Sequence, residues 1–188
     1  MTDLELSSLL LRRPVDYDAD ELLELARDPA VQTWNPIRGV VDLESARTWC
    51  RENSDWSVGD HATWMAVDGT TGALVATCSI FDISLTQATA GIGYRVSAAA
   101  RRRGVARTCV EAVSRWAFVE YGLARVELAH SIENDASCRV AVTSGYEPEG
   151  TLRSSYVDSR GVRHDEHIHG RLVTDPSGPM DLIVRLDP

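Results

Sequence analysis

Gly91-Ile92-Gly93-Tyr94-Arg95-Val96-Ser97-Ala98-Ala99-Ala100-Arg101-Arg102-Arg103-Gly104-Val105-Ala106 is the stretch whose reading decides the fold. It predicts a strand over about Thr89–Val96, a four-residue connection, an arginine-rich turn holding one glycine, and a long helix over Val105–Tyr121. Val105, Cys109, Val110, Val113, Trp116 and Ala117 recur at helical spacing, and Gly122 stops the pattern. A helix N-terminus presents free N–H groups and the positive end of the helix dipole. Gly104 removes the Cβ that would hold a ligand off that backbone, and Ala106 is nearly as small. Such a turn can cradle a pyrophosphate, with the arginines adding charge. It is not a Walker loop, since the lysine and the following Ser/Thr are missing, and it carries only one glycine of a Rossmann fingerprint.

Working outward, Leu9–Arg13 reads as an edge strand ended by Pro14, and Asp16–Asp28 as a helix stopped by Pro29. Val31–Val41 reads as irregular or briefly helical, and Asp42 caps a helix running to about Asn53. His61–Val67 and Ala73–Ile83 are strands joined by the turn Asp68-Gly69-Thr70-Thr71-Gly72. After the long helix come a strand at Arg125–His130, a short helix at Asn134–Ser144 and a hairpin of Thr151–Asp158 with Arg163–Thr174. Asp181–Leu186 has the composition of one more strand. The order β α α β β β α β α β β predicts an α/β or α+β domain with a mixed sheet. Residues 1–174 are expected to form a single domain, with 175–188 as a C-terminal extension.

The chain has 188 residues and a formal net charge of −9, which argues against a general nucleic-acid binder. The basic run at 101–107 suits a small polyanion better than a long phosphate backbone. No window reaches 18 consecutive apolar residues, so no membrane span is expected. The N-terminal residues lack a signal-peptide pattern. Cys50, Cys78, Cys109 and Cys138 are scattered without a CxxC pair, against a disulfide scaffold and a cysteine zinc site. The expected setting is the reducing cytoplasm.

Arg101-x-x-Gly104-x-Ala106 after a strand resembles the acetyl-CoA pyrophosphate loop, (Arg/Gln)-x-x-Gly-x-(Gly/Ala), of the GNAT acetyltransferase superfamily. Downstream, Glu133-Asn134-Asp135-Ala136-Ser137 and Gly145-Tyr146-x-x-Glu149-Gly150-x-Leu152-Arg153 resemble its RimJ/RimL-type branch. The resemblance runs from about Leu9 to Thr174. It implies a mixed, mostly antiparallel sheet flanked by helices around a central strand–helix–strand acetyl-CoA unit. It implies direct transfer of an acetyl group from acetyl-CoA to a primary amine, either a protein N-terminus or a small-molecule amine. The partners are then acetyl-CoA and the acceptor, with no metal, nucleic acid or membrane, and the enzyme is a monomer or homodimer. The alternative is a non-catalytic acyl-CoA-binding or regulatory module.

By this resemblance Arg101, Arg102, Arg103, Gly104, Val105 and Ala106 hold the cofactor's phosphates, and Val96 holds the pantetheine arm through its backbone. The Tyr94 N–H points at the thioester carbonyl oxygen, an oxyanion-type donor. Those strands must splay to admit the cofactor, and Gly91 and Gly93 suit a bulge or a close approach. Asn134 bonds the pantetheine arm while also suiting a helix N-cap. Ser137 assists the departing thiolate, because Ala141 stands where many relatives carry a tyrosine acid. Where RimJ/RimL relatives can carry a basic glutamate, Ser154-Ser155-Tyr156-Val157-Asp158 has none, leaving His130, Glu133, Asp165 or water as the base. Cys138 has no His/Asp pair at a spacing that would mark a thiol nucleophile. Trp34-Asn35-Pro36 and Trp56 sit where the family builds its acceptor side, where the tryptophans either wall a substrate pocket or pack in the core, and His164, His167 and His169 are expected as polar strand faces rather than metal ligands.

Overall fold

Alternation decides the architecture of the central strands. In β2 (Ala62–Asp68), Ala62, Trp64 and Ala66 belong to one buried cluster, while Met65 and Val67 belong to another. The strand is therefore buried on both faces, which requires helices on both sides of the sheet. In the computed structural model, which describes residues 8–158, 160–176 and 183–186, that is how the layers lie. The other strands are β1 (Ser8–Arg12), β3 (Leu74–Ser84), β4 (Thr89–Val96), β5 (Arg125–Ser131), β6 (Glu147–Val157), β7 (Arg163–Leu172) and β8 (Ile183–Leu186). They form an eight-stranded sheet in the order β6-β7-β5-β4-β3-β2-β1-β8. Every neighbouring pair is antiparallel except β4 with β5 and β1 with β8.

One face is covered by α1 (Ala19–Arg27), α2 (Pro29–Trp34) and α3 (Leu43–Ser54), which bury Leu22, Leu25, Val31, Ala46 and Cys50 with Met65, Val67 and Leu74. The other is covered by α4 (Val105–Val119), whose Val105, Cys109, Val110, Val113 and Ala117 pack on Trp64, Cys78 and Ile92. Next to α4 lies α5 (Asp135–Thr143). Gly145, at φ +77°, closes α5 and turns the chain so that Tyr146 enters the core. Ser114 gives its one proton to the Val110 carbonyl, so the Tyr146 hydroxyl donates to Ser114 Oγ, 2.6 Å away. That buried bond fixes the end of α5 to α4.

Three details differ from the sequence reading. The first helix is broken: Asp16–Asp18 is a 3₁₀ turn, and α1 ends before Asp28. Asp28 instead caps α2, accepting from the amides of Ala30 (2.9 Å) and Val31 (3.1 Å), with Pro29 at the first helical position. Pro29 therefore starts a helix rather than stopping one. β1 is not an edge, because β8 pairs alongside it in parallel from Ser8↔Ile183 to Leu11↔Leu186. The first two residues of the expected last strand, 181–182, lie outside the described residues. No helix among the described residues is long and apolar enough to cross a membrane.

Candidate active site

The parallel pairing of β4 with β5 begins at Thr89↔Arg125 and ends at Gly91↔Glu127. β5 continues to Ser131 against β7, and β4 continues to Val96 against β3. The two middle strands therefore part along their C-terminal halves. The antiparallel ladder says which backbone groups face the opening. The Ser97 amide bonds to the Val75 carbonyl at 2.9 Å, which puts the odd-numbered residues of β4 in hydrogen-bonded register with β3. Tyr94 and Val96 then turn their N–H and C=O groups away from β3, into the gap. The Tyr94 carbonyl accepts from the Asn35 side-chain amide at 3.0 Å, a donor from outside the sheet.

Below the gap lies the arginine turn. Gly104 is the N-cap of α4 with φ +77°, and no side chain among the described residues caps the helix. A Cβ at Gly104 would meet nothing within 4 Å, so open space lies beside the start of α4. Arg102 is also left-handed, at φ +62°, and exposed. Arg101 points back to α2: its Nη2 lies 2.5 Å from Asp28 Oδ1. Burial works against the Asp28 carboxylate. The Arg101 guanidinium and the Val31 and Ala30 amides outweigh it and hold the group below the usual range. The turn is thus tied to the helical layer through one carboxylate.

On the far side of the gap, Asn134 caps α5, its Oδ1 accepting from the Ser137 amide at 3.1 Å. Ser137 is 8% exposed, not a surface serine. The Tyr94 hydroxyl donates to Ser137 Oγ at 3.0 Å, joining β4 to α5 across the gap. Burial pushes the Tyr94 hydroxyl up to about 12, the Ser137 bond pulling the other way, so it stays protonated. Ala141 is fully buried and offers the gap no acid.

The opposite face of β4 floors a depression of about 240 Å³ lined by Asn35, Trp49, Asn53, His61, Thr63, Ser79, Ile80, Phe81, Gly93 and Arg95. The glycines of β4 serve a close approach here, but of a side chain: a Cβ at Gly91 would lie 2.5 Å from the Phe81 ring, and one at Gly93 3.3 Å. The bulge sits on β3, between Phe81 and Ser84. Arg95 Nε donates to the Asn35 carbonyl at 2.8 Å and Nη2 to Asn35 Oδ1 at 3.0 Å. With only neutral acceptors around it, burial pushes the guanidinium down to about 10. Trp56 is not on this wall. It packs with Trp64 and Trp116 on the α4 face, ring centroids 4.8 and 6.0 Å away.

Residues 8–147 match the family model described as an acetyltransferase (GNAT) domain. The chain belongs to the GNAT acetyltransferase family. It is similar to the uncharacterized N-acetyltransferase p20 of Bacillus licheniformis, 26% identical over 179 residues, 95% of this chain and 100% of that one. Its fold is that of the ribosomal-protein-S5-alanine acetyltransferase from Vibrio fischeri, with a TM-score of 0.79, 18% identity and coverage of 90% of this chain and 94% of that one. It is also that of RimJ from Mycobacterium smegmatis in complex with CoA-disulfide, with a TM-score of 0.77, 21% identity and coverage of 87% and 80%. The protein is therefore an acyltransferase enzyme of RimJ/RimL-like fold.

The acetyltransferase's candidate bases are dispersed. Asp165 Oδ1 accepts from the Ser154 amide at 2.8 Å, and Glu133 lies 3.4 Å from His164, whose other ring nitrogen is 3.3 Å from Asp158. His130 is buried, with Nδ1 2.8 Å from the Ser131 carbonyl oxygen and Nε2 3.2 Å from His169 Nε2. Burial lowers both rings' affinity for a proton. The antiparallel register of β5 on β7 sets His130 opposite His167, so His167 and His169, expected as polar strand faces, cluster with His130, while His164 stands apart.

Proposed function

We propose that the enzyme moves an acetyl group from acetyl-CoA directly to an α-amine, that of a protein N-terminus ahead of a small-molecule amine. The observation that carries this reading is the opening between β4 and β5, with the Tyr94 and Val96 backbone groups facing into it and the Tyr94–Ser137 hydrogen bond at its end. The pyrophosphate lies on the amides of Val105 and Ala106, with Gly104 giving the close approach and Arg102 and Arg103 adding charge. Arg101 contributes chiefly through its backbone, its guanidinium being occupied by Asp28. The pantetheine arm extends along Val96 and reaches Asn134, whose Oδ1 caps α5 while its Nδ2 has no bonding partner among the described residues.

The amine nitrogen attacks the thioester carbon, and the Tyr94 N–H receives the charge that builds on the carbonyl oxygen. Collapse breaks the C–S bond. The Ser137 hydroxyl donates to the departing thiolate while accepting from Tyr94, a chain in which each bond strengthens the next. The thiolate takes its proton through Ser137 or water, and the amine gives its proton to water. An α-amine has an ordinary pKa near 8, so a useful fraction is neutral without a strong base, unlike a lysine-type amine near 10.4. The lining of the depression on the acceptor side includes Arg95 and His61 and no carboxylate, which suits a polyamine poorly.

The test is CoA release with acetyl-CoA and peptides bearing a free α-amine, the same peptides with a blocked α-amine, and spermidine. Turnover of the free peptides, with the acetyl group located on the N-terminal residue by mass spectrometry, is expected. Faster turnover of spermidine would overturn the assignment of the acceptor.

A further inference from the structure

We propose that His130, Cys138, His167 and His169 form a tetrahedral zinc site that pins the first turn of α5 to β5 and β7. One donor atom from each of these four residues, all within 4.8 Å of one another, meets beneath the helix. His130 is the last residue but one of β5 and faces His167 across the ladder, and His169 follows two residues along β7, on the same face of the sheet. Cys138 comes from α5, immediately after Ser137.

The separation of the ring nitrogens is the informative distance. Two histidine nitrogens bound tetrahedrally to zinc at their usual bond length stand about 3.3 Å apart. His130 Nε2 and His169 Nε2 are 3.2 Å apart. The proton on His130 is also placed: Ser131 offers a carbonyl oxygen, which can only accept, so the proton sits on Nδ1 and the neutral ring turns a bare Nε2 towards His169. A bond from the second ring nitrogen to a carbonyl is how metal-ligating histidines are held.

Without a cation either tautomer of His169 leaves a fault. With the proton on Nε2, its Nδ1 is a bare, buried lone pair that meets no donor among the described residues. With the proton on Nδ1, two lone pairs oppose each other at 3.2 Å. A cation between them converts the opposition into two coordinate bonds. His130 and His169 are buried, while Cys138 and His167 are half-buried, so the ion enters from their side.

Three imidazoles and one thiolate are a borderline-soft set that suits zinc, and four protein ligands leave no open position for a reacting water. The ion's part is to hold α5, and with it Asn134 and Ser137, against the strands. Binding displaces the Cys138 thiol proton to solvent.

Chelator-stripped protein titrated with cobalt(II) tests this independently of acetyl transfer. The expected result is saturation at one equivalent, intense ligand-field bands of a tetrahedral ion, a thiolate-to-cobalt charge-transfer band, and displacement of all of them by zinc. Cys138→Ser, nearly isosteric, is expected to lose the charge-transfer band. His167→Asn is expected to weaken cobalt binding at least tenfold, with folding of both variants checked by circular dichroism. Zinc is expected to raise Tm in the parent protein and not in a variant carrying both Cys138→Ser and His167→Asn. Absence of saturable binding, or a spectrum and affinity unchanged in Cys138→Ser, would overturn the site.

Discussion

Ser137→Ala, paired with Tyr94→Phe in a double-mutant cycle, probes the end of the gap. A hydrogen bond to a charged group is worth about 1.5–3 kcal/mol. If Ser137 donates to the thiolate only as the C–S bond breaks, its loss lowers kcat roughly ten- to hundredfold and leaves the KM for acetyl-CoA nearly unchanged. Tyr94→Phe keeps the Ser137 hydroxyl and removes only the 3.0 Å bond that polarises it. A neutral bond of that kind is worth about 0.5–1.5 kcal/mol, so kcat falls by up to about tenfold. In the Ser137→Ala background the tyrosine change has nothing left to polarise, and its effect on kcat vanishes. Ser137→Ala also leaves a mostly buried tyrosine hydroxyl without its acceptor, costing about 1–3 kcal/mol of stability, which the second substitution partly restores. The assay is single-turnover CoA release, so that chemistry limits the signal, beside a thermal melt of each variant. A Ser137→Ala enzyme with the parent single-turnover rate would refute the role of the serine. A Tyr94→Phe penalty of equal size in both backgrounds would refute the relay.

Gly104 sits at φ +77° with open space where a Cβ would go, so Gly104→Val strains the backbone rather than clashing. The left-handed conformation costs about 1–2 kcal/mol, and acetyl-CoA affinity is expected to fall at least tenfold, about 1.4 kcal/mol. Gly104→Asn tolerates that conformation and is expected to keep most of the stability while still losing affinity, and an unchanged Kd in calorimetry would remove this turn from the cofactor site. For Asp28, a carboxylate held below its ordinary value contributes stability above about pH 4 that disappears as pH falls through the lower folded value. The difference in Tm between the parent and Asp28→Asn is therefore expected to be largest at neutral pH and to shrink in acid. A difference that is flat from pH 7 to pH 3 would contradict the Arg101 pairing as its source.

What sequence reading reaches, and what it misses, follows from the range of each interaction. The turn at Arg101–Gly104 and the stripe of α4 are local patterns, and they stand in the structure where the periodicity puts them. The break at Asp28-Pro29 was also local. An aspartate before a proline is a start signal as well as a stop, and only the two short amide bonds to Asp28 decide between them. The partner of Ser137 was out of reach, because the Tyr94 hydroxyl that meets it comes from 43 residues away across the gap. The same holds for β8, which pairs with β1 at the other end of the chain, and for the histidines, whose meeting depends on the register of β5 on β7. Of the two places open to Trp56, a pocket wall or the core, the structure takes the core, and no periodicity reports which layer a loop residue joins.

Amide hydrogen exchange by NMR, with and without acetyl-CoA, tests most directly whether the cofactor occupies the opening between β4 and β5. The Tyr94 and Val96 amides face that opening without a β5 partner, and the Val105 and Ala106 amides open the uncapped α4. Saturating acetyl-CoA is expected to slow all four, and to leave the Ser97 amide, already bonded to Val75, unchanged. Saturable acetyl-CoA binding that leaves the Tyr94 and Val96 amides exchanging at their free rates would contradict the account.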